Sequence, residues 1–526
     1  MCSAQFSGRG SGTEKDPYLV SNADELYDVR NELNAYYKQI EDIDLTEWIE
    51  ENNPNQGWSP IGTKTNPFYG HFDGNNKIIK GLYINRPSLG DVGLFGSTLG
   101  VDILNVSILN PQIIGGDNVG AIVGKIWMAN AESDISILNN VVVGGNIEGS
   151  HYVGGVVGNV DTETNIPTRT AITIKIQGNY CSMSLVGDIV GGICGTVRGA
   201  ICGYYCDRPA FVTDNLAENS IVANIGGGIV GIISDNYISS TSNGTRTAWH
   251  SESIKRNISK GHLNCRYNAG GVIGTLYMQN KNDQIVENNF SCLEIIKSLS
   301  SPAYRVTNYE FNEQENSALS STVVISNGKE INVEDDGFNG TGYGLKTLMR
   351  KSTYSSQGFD FNEQWDIIEG ESYPYNYSQS TPPIVESFYS GSKSCISGVS
   401  NEYGKIYVFV NNTLFESQII DGKWNVNLGN IQDETTAKVC SVCNDLKPSI
   451  LKEATAVNAP IIDPEKISGD SNADGVVDAA DVVGTINYIL GKPSSSFNQQ
   501  NADVNKDGQI LVDDAVGTVN VIMNNQ

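Results

Sequence analysis

Two twelve-residue stretches near the C-terminus carry oxygen-bearing side chains at matching alternate positions. The first is Asp470-Ser471-Asn472-Ala473-Asp474-Gly475-Val476-Val477-Asp478-Ala479-Ala480-Asp481. The second, 33 residues on, is Asp503-Val504-Asn505-Lys506-Asp507-Gly508-Gln509-Ile510-Leu511-Val512-Asp513-Asp514. Positions 1, 3 and 5 are Asp, Asn and Asp in both, and position 6 is Gly in both. A hard cation that takes six to eight oxygen ligands suits this spacing, with a backbone carbonyl at position 7 and a glycine at 6 for the sharp turn. The chemistry implied is the binding of two calcium ions. The first set of ligands is Asp470, Asn472, Asp474, the Val476 carbonyl, Asp478 and Asp481. The second is Asp503, Asn505, Asp507, the Gln509 carbonyl and Asp514. Leu511, at position 9 of the second loop, has no side-chain oxygen, so that copy coordinates through water or binds more weakly.

Each loop leads into one helix, since Val483-Gly484-Thr485-Ile486-Asn487 recurs as Val516-Gly517-Thr518-Val519-Asn520. Val483, Ile486, Tyr488 and Ile489 are expected to pack on the other copy. No periodic helix precedes Gly469, and position 12 is Asp rather than Glu. A duplicated loop followed by one helix and ending in Asp resembles the dockerin family, over Ile467 to about Met523. The resemblance implies a calcium-folded module that docks onto a cohesin-type partner on a scaffold or cell surface. Ala479-Ala480 and Val512-Asp513 stand where the family places much of its partner choice, and they depart from the Ser-Thr pair of cellulosomal dockerins. A calcium-stapled terminal domain that binds no partner, or packs on its neighbour, is the alternative.

From about Gly12 to Gln379 a glycine-bracketed motif repeats. Examples are Val119-Gly120-Ala121-Ile122-Val123-Gly124, Val153-Gly154-Gly155-Val156-Val157-Gly158 and Ala269-Gly270-Gly271-Val272-Ile273-Gly274. The closing glycines, from Gly96 to Gly274, lie 28, 34, 37, 36 and 43 residues apart. A drifting period with constant strands and variable connections predicts a solenoid, whose stacked coils bury an apolar ladder that no single repeat could bury. Met128 to Ser136, Arg198 to Ser220 and Ser234 to Lys260 are expected to be projecting loops. The motifs are similar to the GLUG repeats of bacterial surface proteins. That likeness implies a right-handed parallel β-helix over 12–379. Tyr18-Leu19-Val20, Asp24-Glu25-Leu26 and Asp42-Ile43-Asp44-Leu45 would form its opening strand and capping helix. Gly57-Trp58 and Phe68 to Asn76 would form its first coils, and Gly358-Phe359, Trp365-Asp366-Ile367 and Tyr373-Pro374-Tyr375 its closing cap.

Pro382-Pro383 breaks the pattern. Short alternating runs over 382–457, such as Gly404 to Asn412 and Lys423-Trp424-Asn425-Val426, predict a small β-sandwich similar to bacterial Ig-like spacers, with Trp424 as a core anchor. Residues 458–466 form a linker, and 467–526 the calcium module. The fold class is thus mostly β: β-helix, Ig-like β-sandwich, then a small α module.

A formal charge of −26 excludes nucleic acid and anionic membranes as natural partners. No apolar run reaches the roughly 18 residues of a membrane helix. Residues 1–11 look like a signal-peptide remnant, with lipidation of Cys2 as the alternative, and the compartment expected is extracellular or cell-surface. Among ten cysteines, Cys181, Cys194, Cys265 and Cys292 lie in apolar strands and read as buried small hydrophobes. Cys202/Cys206 and Cys440/Cys443 lack the second pair of a zinc site, and a bridge from Cys395 to Cys440 or Cys443 is possible but not compelled.

Parallel β-helices also house polysaccharide lyases and glycosidases. Asp24, Asp42, Asp44, Asp73 and Asp91 cluster in the sequence, but caps and turns use Asp routinely. The four histidines, His71, His151, His250 and His262, match no catalytic motif; His71 and His151 read as ladder or surface residues. The expectation is therefore a non-catalytic exported protein that binds a glycan or host protein through its β-helix and a cohesin-type or other surface protein through its calcium module. The rival is a polysaccharide-active enzyme carried by that module.

Overall fold

The computed structural model describes residues 6–127, 133–161, 172–200, 210–236, 253–277, 285–309, 316–444, 446–458, 467–494 and 496–524. The chain divides into two compact units. One comprises Met1–Phe388, Lys393–Gly429 and Glu434–Ala456; the other comprises Tyr389–Ser392, Asn430–Asp433 and Val457–Gln526.

The mostly-β expectation is met in the first unit, where residues 18–343 build three sheets dominated by parallel pairing. Each repeat gives one strand to a nine-stranded sheet, then strands to a long second sheet, then, in the six central repeats, one strand to a six-stranded sheet. Strands one repeat apart are neighbours, so equivalent side chains stack. Phe72, Ile103, Ile137, Ile176, Val212, Ile254 and Val286 are in register along the first sheet and all but fully buried. β-Branched residues dominate because they pack well on a pleated, enclosed surface.

Two kinds of corner shape each repeat. The glycine motif turns the second sheet into the third: a Cβ on Gly154 would lie 1.9 Å from the Val157 carbonyl oxygen, and one on Gly191 would lie 1.8 Å from that of Cys194. Only glycine permits that approach. The first-to-second corner is held by buried asparagines. Asn140, Asn179, Asn215, Asn257, Asn289 and Asn316 form a ladder in which each amide oxygen accepts from the backbone N–H and Nδ2 of the one before, at 2.9–3.2 Å. The preceding residue is left-handed at Asn139, Gly178, Asp214, Arg256 and Asn288. The ladder satisfies corner N–H groups that have no strand partner.

Alternate residues of the second sheet point outward, yet Leu109, Val143, Tyr180, Leu216, Ile258 and Phe290 are also buried. After Tyr343 the chain runs back along this flank as a strap. Gln357 Nε2 donates to Ser317 Oγ, Tyr354 and Phe359 pack on Phe290, and Lys260 lies over Tyr373. Asn376 Nδ2 donates to the Gly178 carbonyl, the Phe409 ring covers Gly144, and Glu416 pairs with Lys80. The closing-cap motifs thus lie along the side of the stack, with Phe359 and Trp365 buried there.

Residues of 384–456 form a four-stranded antiparallel sheet (Thr413–Gln418, Gly404–Val410, Thr436–Cys443, Lys452–Thr455) and a second sheet pairing Lys423–Ile431 with Ile384–Val399. Trp424 is buried as expected, but Tyr407, Phe409 and Cys440 pack into the flank cluster, so these strands cover the stack instead of spacing it.

Other expectations need correction. Phe6 is buried against Tyr18 and Tyr37, so residues 6–11 belong to the fold, while Cys2 lies outside the described residues. The regions read as loops contain core strands at Ala210–Thr213, Leu216–Gly227, Ser253–Lys255 and Ile258–Cys265; polar ladder residues disguised them. Cys181, Cys194, Cys265 and Cys292 are buried and free, and Cys395, Cys440 and Cys443 form no bridge. Cys202, Cys206, His250 and residues 459–466 of the expected linker lie outside the described residues.

Candidate metal centre

The two twelve-residue loops of the second unit share one backbone course. Position 4 is left-handed in both, at Ala473 (φ 57°) and Lys506 (φ 61°), as is position 6, at Gly475 and Gly508. The hydrogen bonds repeat as well. Asp470 accepts from the backbone N–H of Asp474 and Gly475, and Asp503 from those of Asp507 and Gly508. Asn472 Oδ1 accepts from Asp474 N, and Asn505 Oδ1 from Asp507 N. Asp474 and Asp507 accept from positions 7, Val476 and Gln509. At position 12, Asp481 accepts from Asn472 N and Asp478 N, and Asp514 from Asn505 N and Leu511 N.

These bonds fix the carboxylates at positions 1 and 12 of each loop. Asp470, Asp481 and Asp514 are fully buried, and none forms an ion pair with Lys, Arg or His among the described residues. Burial, and then the charges of Asp470 and Asp474, push the Asp481 carboxyl above its ordinary range despite the N–H groups it accepts from. Enclosed carboxylates without a cationic partner are costly, and a divalent ion offsets that cost. The residues therefore fit calcium. Asp470, Asn472, Asp474, Asp481 and the Val476 carbonyl would hold it in the first loop, and Asp503, Asn505, Asp507, Asp514 and the Gln509 carbonyl in the second. Among the described residues no three His, Cys, Asp or Glu side chains gather into a ready-made cage, so the donor set depends on amide and carbonyl oxygens and on rotation of the exposed position-5 aspartates.

Position 9 differs between the copies. Asp478 is the N-cap of the helix Ala479–Ile489: it accepts from Ala480 N at 2.7 Å, and a capping box with Asp481 closes the turn. Its side chain is committed to the helix as well as to the predicted ligand set. Leu511 has the same place before the helix Val512–Asn524 and supplies neither cap nor ligand.

Of the residues expected to pack on the other copy, Ile486 and Ile489 line the groove between the two helices, while Tyr488 stacks on Phe497 and Val483 turns outward. Val483 is 55% exposed and Ile486 43% exposed. A Cβ on Gly484 would lie 2.7 Å from Ser471 Oγ, and one on Gly517 would lie 2.9 Å from Val504 Cγ1. The glycine faces turn toward the loops, with Thr485 and Thr518 buried, and the aliphatic stripes turn out. Between them lies an open groove of about 360 Å³ lined only by apolar side chains, among them Val482, Ile486, Leu490, Val512, Val516 and Val519. Sequence reading missed this face, although the i, i+3, i+4 spacing of its residues is plain in both helices.

The aspartates grouped near the N-terminus separate into different roles. Asp24 accepts from Trp48 Nε1, Asp42 from Ile78 N, and Asp44 from Thr46 while pairing with Lys80. Asp73 accepts from Asn75 N and Asn105 Nδ2, and Asp91 from Ser97 Oγ and Asn118 Nδ2. His71 is a ladder residue paired with Asp102, while His151 and His262 are about half exposed, beside Asp188 and Glu294.

Over 96 residues the chain is 43% identical to a protein of Evansella cellulosilytica named as a Gly-rich membrane protein; the match covers 18% of this chain and 11% of that protein. Over 120 residues it is 33% identical to halomucin of Haloquadratum walsbyi, covering 22% of this chain and 1% of that protein. The chain thus spans a small part of either relative's length. Residues 468–516 match the dockerin type I domain, a family that binds calcium and takes cohesin partners. The C-terminal module of this chain is a dockerin type I domain.

Proposed function

We propose that this is an extracellular binding protein that is non-catalytic, attached to a cohesin-type surface partner through the dockerin domain, and that presents its strand stack to a ligand outside the cell. On this reading both loops bind one calcium ion each, and the ions hold the two helices so that their aliphatic stripes form one docking face. The exposed apolar groove across both helices carries the proposal, because a soluble module rarely leaves such a face without a partner. Leu490 and Val512, each 68% exposed, would be its anchors. Among the described residues no helix is long and apolar enough to cross a membrane.

The stack is read as a right-handed parallel β-helix of the GLUG type, with the strands of 384–456 as an Ig-like sandwich. Its in-register parallel strands and glycine corners support that reading. The connections between strands differ in length from one corner to another. Between first- and second-sheet strands, five central connections, from Leu104–Ser107 to Lys255–Ile258, hold two residues each. Between third-sheet strands and the next first-sheet strand they range from two residues (Leu99 to Asp102) to sixteen (Asn236 to Ser253). Tolerance of such length variation is compatible with a ligand-binding role for the stack. The dispersal of Asp24, Asp42, Asp44, Asp73 and Asp91 into separate structural roles supports the non-catalytic reading.

The test is capture of partners from envelope extract by the full chain, with and without calcium, against a variant carrying Asp470→Ala and Asp503→Ala. A cohesin-bearing protein retained only by the intact chain in calcium is the expected result. Calcium binding without such a partner would overturn the docking role.

A further inference from the structure

The outer face of the nine-stranded sheet carries a groove of about 560 Å³ at its N-terminal end. Tyr36, His71 and Asp102 occupy one outward register line across three adjacent strands. Lys38 and Leu104 occupy the next outward line with Leu19 and Asp73, while the intervening residues Tyr37, Phe72 and Ile103 are buried inside.

The polar groups here are unusually ordered for a sheet surface. The His71 and Tyr36 rings stack at 4.0 Å, 11° from parallel, and His71 Nδ1 lies 2.8 Å from Asp102 Oδ2. Burial alone would raise the Asp102 carboxyl, but hydrogen bonds from His71 and Ser136 hold it below its ordinary range. Nδ1 faces that carboxylate, which leaves Nε2 as the ring nitrogen available to a ligand. Among the described residues neither Nε2, nor the Tyr36 hydroxyl, nor the Lys38 ammonium, nor the Glu14 carboxylate has a hydrogen-bond partner. Asp73, by contrast, is committed to Asn75 and Asn105.

The groove therefore offers one imidazole nitrogen, one hydroxyl, one cation and one anion around a floor of Leu19 and Leu104. Hydroxyls on a ring with an apolar face match that arrangement. Glu14, Asp73 and Asp102 outnumber Lys38 and the nearby Lys175, so the local charge disfavours uronic acids and sulfated sugars. Tyr36–Gln39 and His71–Asp73 are hydrogen-bonded on both sides, which closes the groove floor to recognition of a peptide by strand addition. We propose that this groove is a subsite for a neutral glycan, gripped by the edges of the stacked Tyr36 and His71 rings. The proposal rests on the reading of the stack as a ligand-binding platform and names its ligand class.

The test is affinity electrophoresis of the full chain through gels containing mixed-linkage β-glucan, xylan, galactomannan or polygalacturonate. His71→Ala and Tyr36→Phe are compared with Tyr277→Ala, which removes a ring 57% exposed at the end of a third-sheet strand. Retardation by at least one neutral polysaccharide is expected, weakened roughly tenfold by His71→Ala and severalfold by Tyr36→Phe, and unchanged in Tyr277→Ala. Because Tyr36→Phe removes only a hydroxyl, its loss of binding cannot stem from misfolding. No retardation by a neutral polymer, retardation by polygalacturonate alone, or equal retardation of all variants would each overturn the proposal. Calcium-dependent partner capture, scored on the same samples, separates the two readings. Capture without glycan binding overturns this inference alone, and glycan binding without capture supports it while overturning the docking role.

Discussion

Replacing Leu511 with Asp should turn the second calcium loop into a copy of the first. In loop one, Asp478 accepts from Ala480 N, and Asp481 returns a bond from Asp478 N; in loop two only the return bond exists, from Leu511 N to Asp514 at 2.9 Å. An N-cap carboxylate contributes about 1 kcal/mol. Leu511 is 47% exposed, so its removal forfeits about 1 kcal/mol of apolar burial. The two terms offset, and the new carboxylate also meets the like charges of Asp503, Asp513 and Asp514. Stability in chelator should therefore stay within about 1 kcal/mol of wild type or fall slightly. With calcium the balance changes, because the added carboxylate turns from a repelled charge into a ligand. The expected gain in loop-two affinity is about tenfold, or roughly 1.4 kcal/mol. Isothermal titration of the full chain would show two unequal sites in wild type and nearly equal ones in Leu511→Asp, with Asp503→Ala identifying loop two. An unchanged second site would refute the assignment of position 9 as both cap and ligand.

Asn215→Ala should break the corner ladder at its centre. It orphans the Asn179 backbone N–H and removes the donor to the Ile176 carbonyl, at about 1–3 kcal/mol for each group, so denaturant unfolding should show a loss of about 2–6 kcal/mol. A loss below about 1 kcal/mol would mean the ladder is decorative. Lys447 is 2% exposed, its Nζ donating to Ser378 Oγ, and burial pushes its pKa down to about 7. The unfolded chain keeps that proton up to pH of about 10, so the folded state binds fewer protons between about 7 and 10, and wild-type stability rises with pH across that window. Lys447→Met should stabilise the protein on the order of 3 kcal/mol near pH 6–7, with the advantage shrinking toward pH 10. Melting curves of wild type and variant that stay equally separated at all pH values would refute the burial argument.

Much of the calcium module was legible because its chemistry is local. The alternating Asp and Asn positions, the glycine at position 6 and the missing oxygen at Leu511 all lie within twelve residues, and both loops take the same left-handed turns at positions 4 and 6. The facing of the helices was not legible. Periodicity identifies an apolar stripe but not what it meets, and here Gly484 and Gly517, read as part of the repeat, turn toward the loops, leaving Val483 exposed and Ile486 on an open groove. In the stack, the glycine motif marked one corner because its steric requirement is strict. The asparagine corner escaped notice because its members are 39, 36, 42, 32 and 27 residues apart, the connections between them varying in length. Strands such as Ala210–Thr213 were hidden for the same reason, their alternation being short and beside long polar connections. The strap could not be read at all: aromatic residues such as Phe359, Trp365 and Phe409 signal burial, while the surface that buries them lies up to hundreds of residues away.

That strap sets a rule for how this protein can change over evolutionary time. Arrays of stacked repeats commonly lengthen or shorten by duplication or loss of a unit, since each contacts only its neighbours. Here the returning chain touches successive rungs from Ser317 back to Lys80, so the stack has a fixed measure laid along its side. Inserting one repeat would lengthen the flank by about 4.8 Å and slide every later contact out of step. It would also leave one outward row of aliphatic side chains uncovered. The number of repeats is therefore tied to the length of a segment that is not itself repetitive, and the two can vary only together.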